Sequence, residues 1–311
     1  MAVFTQISEQ QLAQHLEQFN IGKLVSFSGI AEGVSNTNYK IVTDRAPYIL
    51  TLFEERTRTE DLPFFIHFMK HLHGKGIPSA DVIAAVDGKE IIQLGGKPAI
   101  ITSFLEGAWP QQIENHHITS IAACLARMHL AAGSFKEQRV NSMSMAAWRK
   151  LIEACKGKSP AVPALLTELD YIEKKWPLHL TKGAVHADLF PDNVFFSGEK
   201  LTGVIDFYFA CTDVLIYDLM LTFNAWCFEP TGPNQQKITL FLEAYQKERP
   251  LSGTEMRWLT FFGRAAALRI VATRLYDWFH PVAGAVITPK DPGHYLNILS
   301  FHQSMGQRPK E

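Results

Sequence analysis

Side chains able to handle phosphate chemistry stand at fixed spacing in the second half of the chain. The segment 183–196 contains the pattern His-x-Asp-x-x-x-x-Asn, which runs from His186 through Asp188 to Asn193. Two short apolar strands follow, and the second of them ends at Asp206. The acidic and amide side chains therefore stand at strand ends, where loops can present them while the strands stay buried. Magnesium-dependent phosphoryl transfer from a nucleotide requires this set of groups.

Each residue type in this set predicts its own role. We expect Asp188 to accept the proton of the attacking hydroxyl or to orient that hydroxyl. The amide oxygen of Asn193 and the carboxylate of Asp206 are ligands that Mg²⁺ prefers, so we expect them to hold the metal. His186 belongs to the same catalytic group, and we expect its ring to fix the loop through hydrogen bonds. Asp192 is expected to be a turn residue that could touch substrate.

Composition argues against several other classes of partner. The chain has 311 residues and a formal net charge of −1, so no strongly basic surface indicates nucleic acid or an anionic membrane. No apolar stretch approaches the roughly 18 residues of a membrane span, and the N-terminus has no leader pattern. The four cysteines are widely separated, which favours free thiols in a reducing compartment. We therefore expect a cytoplasmic enzyme that binds small molecules.

Other nucleotide-binding and hydrolase motifs are absent from the sequence. Gly157-Lys-Ser159 is similar to the end of a P-loop, but Ile152 stands where the first glycine should be. No Gly-x-Gly-x-x-Gly, Gly-x-Ser-x-Gly or His-Glu-x-x-His pattern occurs. Dehydrogenase and hydrolase interpretations therefore lose their usual support.

Residues 1–102 are predicted to form a β-rich nucleotide-binding lobe. Strands are expected over 24–33, 38–43 and 48–53 because β-branched and aromatic residues dominate there. The loop between the first two strands is small and polar, so its backbone could approach phosphate oxygens closely. The predicted nucleotide contacts in and beside this loop are Gly33, Ser35, Asn36 and Asn38. A later strand over 99–107 is expected to contact an adenine edge through Thr102, Ser103 and Phe104.

Residues 103–311 are predicted to form a mainly helical lobe for catalysis and substrate binding. Apolar residues at helical spacing predict a last long helix over 254–280. His129 ends an earlier apolar helix face and is expected to be a satisfied core residue.

The chain resembles a known family over nearly its whole length. The order of a β-rich lobe, a linker, HADLFPDN and GVIDF is similar to the aminoglycoside phosphotransferase and choline kinase-like superfamily. Within it, the segments GIAEGVSNTNYKIVT, DLPFFIHFMKHLHGKGIP and RAAALRIVATRLYDW resemble the homoserine kinase family. The resemblance implies a two-lobed α+β protein-kinase-like fold and ATP- and Mg²⁺-dependent phosphorylation of the homoserine side-chain hydroxyl, in threonine biosynthesis. Asp188 would be catalytic, with Asn193 and Asp206 as metal ligands.

One position departs from the usual pattern of such lobes. The third strand usually carries a lysine that pairs with the α- and β-phosphates, and here Thr51 occupies that place. Lys40, Arg56 or Arg58 could supply the charge instead.

The substrate pocket is predicted from the charges of an amino-acid alcohol. Its carboxylate requires a cation, and arginine geometry suits a carboxylate. The candidates on the long helix are Arg264, Arg269 and Arg274, with structural pairing to acids such as Asp213, Asp218 or Asp277 as the alternative. Further pocket residues are expected at Tyr208, Asn224 and Trp226, whereas Asp218 is expected to brace the catalytic loop.

Two other functions stay open from the sequence alone. The first is a kinase of the same superfamily that acts on another amino alcohol, a sugar or an aminoglycoside. The second is a kinase-like binding protein without transfer activity, although intact Asp188, Asn193 and Asp206 argue against it. A protein kinase is disfavoured, because no Ala-Pro-Glu segment and no activation-loop insert follow Asp206.

Overall fold

The computed structural model describes residues 5–30, 36–54, 57–281 and 289–306. These residues fall into two compact units, the first within residues 5–106 and the second within 107–281 and 289–306. The first unit is built on a sheet and the second is mainly helical, so the predicted α+β class is confirmed. Within the described ranges, no helix is both long and apolar enough to cross a bilayer.

The described part of the first unit contains two α-helices and one six-stranded antiparallel sheet. The helices are α1 (Glu9–Leu16) and α2 (Leu62–Gly74). The strands are β1 (Leu24–Ile30), β2 (Thr37–Thr43), β3 (Pro47–Leu52), β4 (Val82–Ile83), β5 (Ile92–Leu94) and β6 (Lys97–Ser103). Their order is β1-β2-β3-β6-β4, and β5 also pairs with β6.

Local sequence explains these elements. Ser8 accepts a hydrogen bond from the Gln11 backbone N–H while the Gln11 side chain returns one, and this capping box begins α1. Buried and half-buried residues alternate strictly along β2. The side chains of Tyr39 and Ile41 therefore point into the core, which also contains Leu50. Helix α2 ends at Gly74, just before Gly76, whose φ of 76° favours glycine.

The described part of the second unit contains seven helices and three two-stranded sheets. The helices are α3 (Asn115–Ala132), α4 (Met145–Glu153), α5 (Val162–Lys175), α6 (Leu215–Cys227), α7 (Gln235–Glu248), α8 (Gly253–Phe279) and α9 (Gly293–Ser304). The strands are β7 (Lys182–Val185), β8 (Val194–Ser197), β9 (Lys200–Val204), β10 (Cys211–Val214), β11 (Phe228–Glu229) and β12 (Gly232–Pro233). Strand β7 pairs with β10, β8 with β9, and β11 with β12.

Helix α8 is the long helix predicted from the sequence, and it organises the second unit. A capping box between Ser252 and Glu255 begins it. It packs against α4, α5, α6 and α9, so residues on most of its circumference are buried. A helix that is covered on several sides needs apolar residues all round, which explains its weak amphipathic pattern. A charged arginine in these surroundings is therefore costly unless it has a specific partner.

Candidate functional site

The catalytic loop, defined here as residues 186–193, joins the end of β7 to the start of β8. A 3₁₀ turn at Pro191–Asn193 closes it. Ala187 has a φ of 62°, and Asp206 at the end of the neighbouring hairpin has a φ of 61°. The left-handed region costs a non-glycine residue about 1–2 kcal/mol, so the surrounding contacts must hold both residues there. Backbone strain of this kind is frequent at functional sites.

Asp188 lies among groups that fix its carboxylate. Its side chain is 19% exposed, and Oδ1 accepts a hydrogen bond of 3.1 Å from Nη1 of Arg269, which is almost fully buried. Nδ2 of Asn193 donates to the Asp188 backbone carbonyl at 2.8 Å and reaches Oδ2 of the carboxylate at 3.5 Å. The orientation of Asp188 is therefore set by one guanidinium and one amide.

Asp206 lies beside this loop and carries a perturbed carboxyl group. Burial raises its pKa to about 7, and the negative charges of Asp188 and Asp192 add to the rise. A hydrogen bond from the Tyr208 backbone opposes the shift. The Ile205 N–H donates to the Asn193 carbonyl at 3.0 Å, which ties the two segments together. The structure therefore brings the carboxylates of Asp188 and Asp206 and the amide of Asn193 into one cluster.

His186 fixes the loop through both ring nitrogens. Nε2 bonds the carbonyl of Ile205 at 3.0 Å, and Nδ1 accepts the N–H of Asp188 at 3.2 Å. The side chain is completely buried, and burial lowers its pKa. A neutral imidazole with two backbone partners is a positioning group, which agrees with the predicted hydrogen bonds.

Asp218 braces the catalytic loop from behind, as predicted. Its fully buried carboxylate accepts the backbone N–H of His186 at 3.2 Å and that of Ala187 at 2.8 Å. Nε2 of His129 bonds the same carboxylate at 3.1 Å, while Nδ1 of His129 bonds the Tyr245 hydroxyl at 2.7 Å. Burial by itself raises the pKa of Asp218, but these hydrogen bonds and the His129 ring outweigh it and lower the pKa. The prediction that His129 is a satisfied core residue is confirmed.

The donor set of the cluster fits a divalent metal. Because Nδ2 of Asn193 points to the Asp188 carbonyl, its Oδ1 is the atom available for a cation. Asp206 adds a carboxylate whose pKa is raised by burial and, to a smaller extent, by the negative charges of Asp188 and Asp192. Within the described ranges, no group of three or more His, Cys, Asp or Glu residues could hold a metal ion. One carboxylate and one amide are nevertheless enough for Mg²⁺, which keeps water and phosphate as its other ligands.

Two of the predicted pocket residues form hydrogen bonds inside the protein. Trp226 is fully buried, and its Nε1 donates to the Leu189 carbonyl of the catalytic loop at 2.9 Å. Asn224 donates to the Gly263 carbonyl at 3.0 Å and its Oδ1 bonds His302 at 2.8 Å, which links α6, α8 and α9. Tyr208 is half-buried and lies beside Asp206. Substrate contact by these three residues stays a prediction.

The three predicted arginines of α8 have different surroundings. Nε and Nη2 of Arg264 each donate to one oxygen of Glu168 at 2.6 Å, a bidentate pair with an acid of α5. Arg269 donates to Asp188. Arg274 lies over the ring of Tyr295, with its guanidinium carbon 4.5 Å from the ring centroid. None of the three forms an ion pair with the acids considered from the sequence, within the residues that the structure describes.

The predicted nucleotide contacts of the first unit are partly described. Gly33, Ser35 and the candidate cation Arg56 lie outside the described residues. Asn36 is buried, and its Oδ1 accepts the Glu54 N–H at 3.3 Å. Oδ1 of Asn38 accepts a hydrogen bond of 2.8 Å from the Thr51 hydroxyl. Thr51, which stands where the third strand usually has a lysine, is therefore bonded to the neighbouring strand β2.

The segment 102–104 and the remaining candidate cations also lie in the first unit. Thr102 pairs with both β3 and β4, and the Ser103 N–H donates to the Asp81 carbonyl at 2.8 Å. The Phe104 ring lies under Lys40, whose Nζ is 4.5 Å from the centroid. Arg58 instead pairs with Glu60 on the surface.

Sequence reasoning did not find the aromatic contacts of the catalytic loop. Phe190 packs near Tyr295 of α9, with ring centroids 6.4 Å apart, and Phe209 lies 5.2 Å from the guanidinium of Arg269. Asp192 pairs with Lys290 at 3.1 Å. These pairs join distant parts of the chain, and no local spacing signals them.

Comparisons with known proteins agree with this geometry. The profile of the phosphotransferase enzyme family (APH) matches residues 26–251. A homoserine kinase from Rhodospirillum rubrum is 45% identical over 311 residues, which cover 98% of this chain and 97% of that protein. A homoserine kinase from Paramagnetospirillum magneticum is 46% identical over 317 residues, with 98% and 97% covered.

Among solved structures, the chain is similar to an amicoumacin kinase, hAmiN, in complex with AMP-PNP, Ca2+ and Ami. The TM-score is 0.72 at 16% identity, and the match covers 96% of this chain and 93% of that one. At this identity the likeness concerns the fold. Together with the family profile and the full-length relatives, it leads to one conclusion: the chain belongs to the phosphotransferase enzyme family, and within that family it groups with the homoserine kinases.

Proposed function

We propose that this protein is a homoserine kinase, which transfers the γ-phosphate of ATP to the side-chain hydroxyl of L-homoserine and forms O-phospho-L-homoserine. The observation that carries the phosphoryl-transfer chemistry is the cluster of Asp188, Asn193 and Asp206 at the ends of neighbouring strands. The choice of acceptor is supported by 45–46% identity to homoserine kinases over 98% of the chain. The product belongs to threonine biosynthesis, and the need for ATP and a free amino acid supports a cytoplasmic location.

Asp188 acts on the acceptor hydroxyl in this proposal. The hydroxyl oxygen forms the new bond to the γ-phosphorus while the bond to the β-phosphate oxygen breaks, and ADP leaves. The proton of the hydroxyl passes to the Asp188 carboxylate, which Arg269 and Asn193 orient. Because the transition state is loose, positioning the hydroxyl contributes more than strong basicity does. His186 and Asp218 contribute by holding the loop.

Asn193 and Asp206 would hold the magnesium ion. When bound, the ion neutralises the charge of the phosphate oxygens. Oδ1 of Asn193 and the carboxylate of Asp206 are the donors available for it. A cation beside Asp206 would also stabilise the charged form of that carboxylate.

The first unit supplies the nucleotide contacts in this proposal. Asn36 and Asn38 stand where the polar loop leads into β2, Thr102 and Ser103 are the last residues of β6, and Phe104 follows directly. Among the candidate cations, Lys40 lies beside Phe104, whereas Arg58 is already paired with Glu60. We therefore assign to Lys40 the role of the third-strand lysine, which pairs with the α- and β-phosphates in lobes of this kind.

Turnover with a panel of hydroxyl compounds tests the acceptor. Purified protein is incubated with ATP and Mg²⁺, and ADP release is measured with L-homoserine, 3-aminopropan-1-ol, a hexose and an aminoglycoside. We expect L-homoserine to give the highest kcat/KM. Background rates with L-homoserine and a strong rate with another compound would assign a different acceptor within the same family.

Asp188→Asn tests the chemistry separately from the acceptor. The amide cannot take the hydroxyl proton, so we expect kcat to fall by about 10²–10⁴-fold. Nucleotide affinity, measured by calorimetry, should change little. Asp170→Asn on the exposed face of α5 is the matched control. A variant at position 188 with wild-type turnover would remove the role assigned to this carboxylate.

A further inference from the structure

Arg274 is a half-buried cation without an anionic partner among the described residues. The other two arginines predicted to bind substrate, Arg264 and Arg269, bond Glu168 and Asp188. Arg274 makes no ion pair or hydrogen bond within residues 107–281 and 289–306, and its guanidinium stacks on the ring of Tyr295. Burial lowers its pKa, because the neighbouring charges do not compensate for the lost hydration. A half-buried guanidinium without an ion pair can bind an anionic ligand from outside the chain.

The nearby acids are engaged elsewhere. Asp192 pairs with Lys290 at 3.1 Å. Asp291 accepts the Gly293 N–H at 2.8 Å. Both carboxylates influence the pKa of Arg274, but neither lies within ion-pairing distance of it. The described charges around Arg274 thus leave its hydrogen-bond donors open.

Tyr295 places a second open donor beside Arg274. Its hydroxyl is buried and has no hydrogen-bond partner in the part of the chain that the structure describes. Buried hydroxyl groups in folded proteins nearly always have a partner, so this one indicates a missing ligand or water. The side chain is 2% exposed, and burial raises its pKa.

The position of Tyr295 connects this pair to the catalytic loop. Its ring packs near Phe190, which lies two residues after Asp188. The charges that act on its hydroxyl include those of Arg274, Arg269 and Asp188. The Tyr295 hydroxyl is therefore within electrostatic reach of the carboxylate that acts on the acceptor hydroxyl, and Arg274 stacks on the same ring.

We propose that Arg274 and the Tyr295 hydroxyl form the subsite that binds the α-carboxylate of the amino-acid alcohol. This inference rests on the proposed function and identifies the part of the site that distinguishes an amino acid from a simple amino alcohol. The guanidinium presents paired N–H donors to a carboxylate, and the phenol adds an O–H donor. An acceptor without a carboxylate leaves both buried donors unpaired. Sites of this kind reject such analogues strongly.

The test compares L-homoserine with 3-aminopropan-1-ol, which is the same molecule without its carboxylate. We expect the wild-type protein to prefer L-homoserine by at least about 100-fold in kcat/KM, since a site with unpaired donors discriminates this strongly. Arg274→Met keeps the length of the side chain and removes the charge. It should raise the KM for L-homoserine by about 10–100-fold, the effect of losing one charge-assisted pair. The kcat/KM for 3-aminopropan-1-ol and the KM for ATP should stay within about 2-fold.

A matched control and a second variant complete the design. Arg257→Met makes the same change at an exposed position of α8, where the guanidinium donates to the Thr254 hydroxyl at 3.1 Å, and it should leave all parameters unchanged. Tyr295→Phe removes an oxygen that bonds no described residue, so the variant should fold normally. Its KM for L-homoserine should rise by about 5–20-fold, the usual effect of one hydrogen bond to a charged group.

The possible results separate this inference from the proposed function. A wild-type protein that does not phosphorylate L-homoserine refutes the proposed function. A wild-type protein that prefers L-homoserine, with Tyr295→Phe and Arg274→Met retaining the same preference, overturns only the subsite. If Arg274→Met does not fold, an unchanged preference in Tyr295→Phe is sufficient to overturn it. Collapse of the preference in either folded variant supports the carboxylate subsite.

Discussion

Asp218→Asn removes the buried charge that holds the catalytic loop. The carboxylate accepts three hydrogen bonds, from the N–H groups of His186 and Ala187 and from His129. An amide has one acceptor oxygen with two lone pairs, so in the Oδ2 position it keeps the bonds from His186 and His129. Its NH₂ group then faces the N–H of Ala187, which loses its bond of 2.8 Å.

The expected loss of stability follows from these contacts. Leaving the buried N–H of Ala187 without its acceptor costs about 1–3 kcal/mol. This loss is smaller than the 5–15 kcal/mol typical of folded proteins. The variant should therefore fold, with a Tm lowered by about 2–5 °C.

The expected loss of activity follows from the backbone of Ala187. Its left-handed conformation costs about 1–2 kcal/mol, and the bonds to Asp218 contribute to holding it. A relaxed loop would move Asp188 away from the acceptor hydroxyl. Misplacement by about 1 Å can lower a rate by about 10²-fold, so kcat should fall by about 10–100-fold.

Thermal unfolding and steady-state kinetics measure the two effects separately. Asp170→Asn is the control, because Asp170 forms an exposed pair with Arg149 that should contribute less than about 1 kcal/mol. An unchanged Tm would refute the energetic argument for Asp218. A lowered Tm with wild-type kcat would show instead that Asp218 stabilises the fold without positioning Asp188.

Two further predictions concern residues of the second unit. Arg269→Met should lower kcat by about 10–100-fold, since a buried charge pair that fixes Asp188 is lost. In an Asp188→Asn background the same change should lower kcat by less than about 2-fold. Additive losses in this double-mutant cycle would refute the coupling between Arg269 and Asp188. His302, whose pKa burial lowers from 6.5 to about 4, stays neutral in the folded state while the unfolded chain takes up a proton below pH 6.5. Stability should therefore fall as the pH decreases, by about 2 kcal/mol at pH 5. Urea unfolding at pH 7 and pH 5 should show a loss smaller by this amount in His302→Gln, in which His186, whose pKa burial also lowers, still titrates. An equal loss in both proteins would contradict the role of His302.

Much of the fold follows from local patterns. The strands β1, β2, β3 and β6 and helix α8 lie close to their predicted positions, because side-chain alternation and helical spacing act over a few residues. Strand pairing depends on the whole sheet: β4 and β5 are neighbours in sequence, yet both pair with β6.

The sequence by itself determined the catalytic motif and its roles as predictions. His186, Asp188, Asn193 and Asp206 stand out because their types and spacing are local properties of strands and the loops between them. Asp218 was also recognisable as a brace, and its bonds to the catalytic loop confirm this.

Only the tertiary structure decided which arginine of α8 meets which acid. Arg264 bonds Glu168 across 96 residues of chain, and Arg269 bonds Asp188 across 81. Arg274 stacks on Tyr295 of a different helix. All three have the same side chain and stand on one helix, so nothing local distinguishes them. Their surroundings come from the packing of α5, the catalytic loop and α9, because the cost of burying a charge depends on partners that only the folded chain brings near.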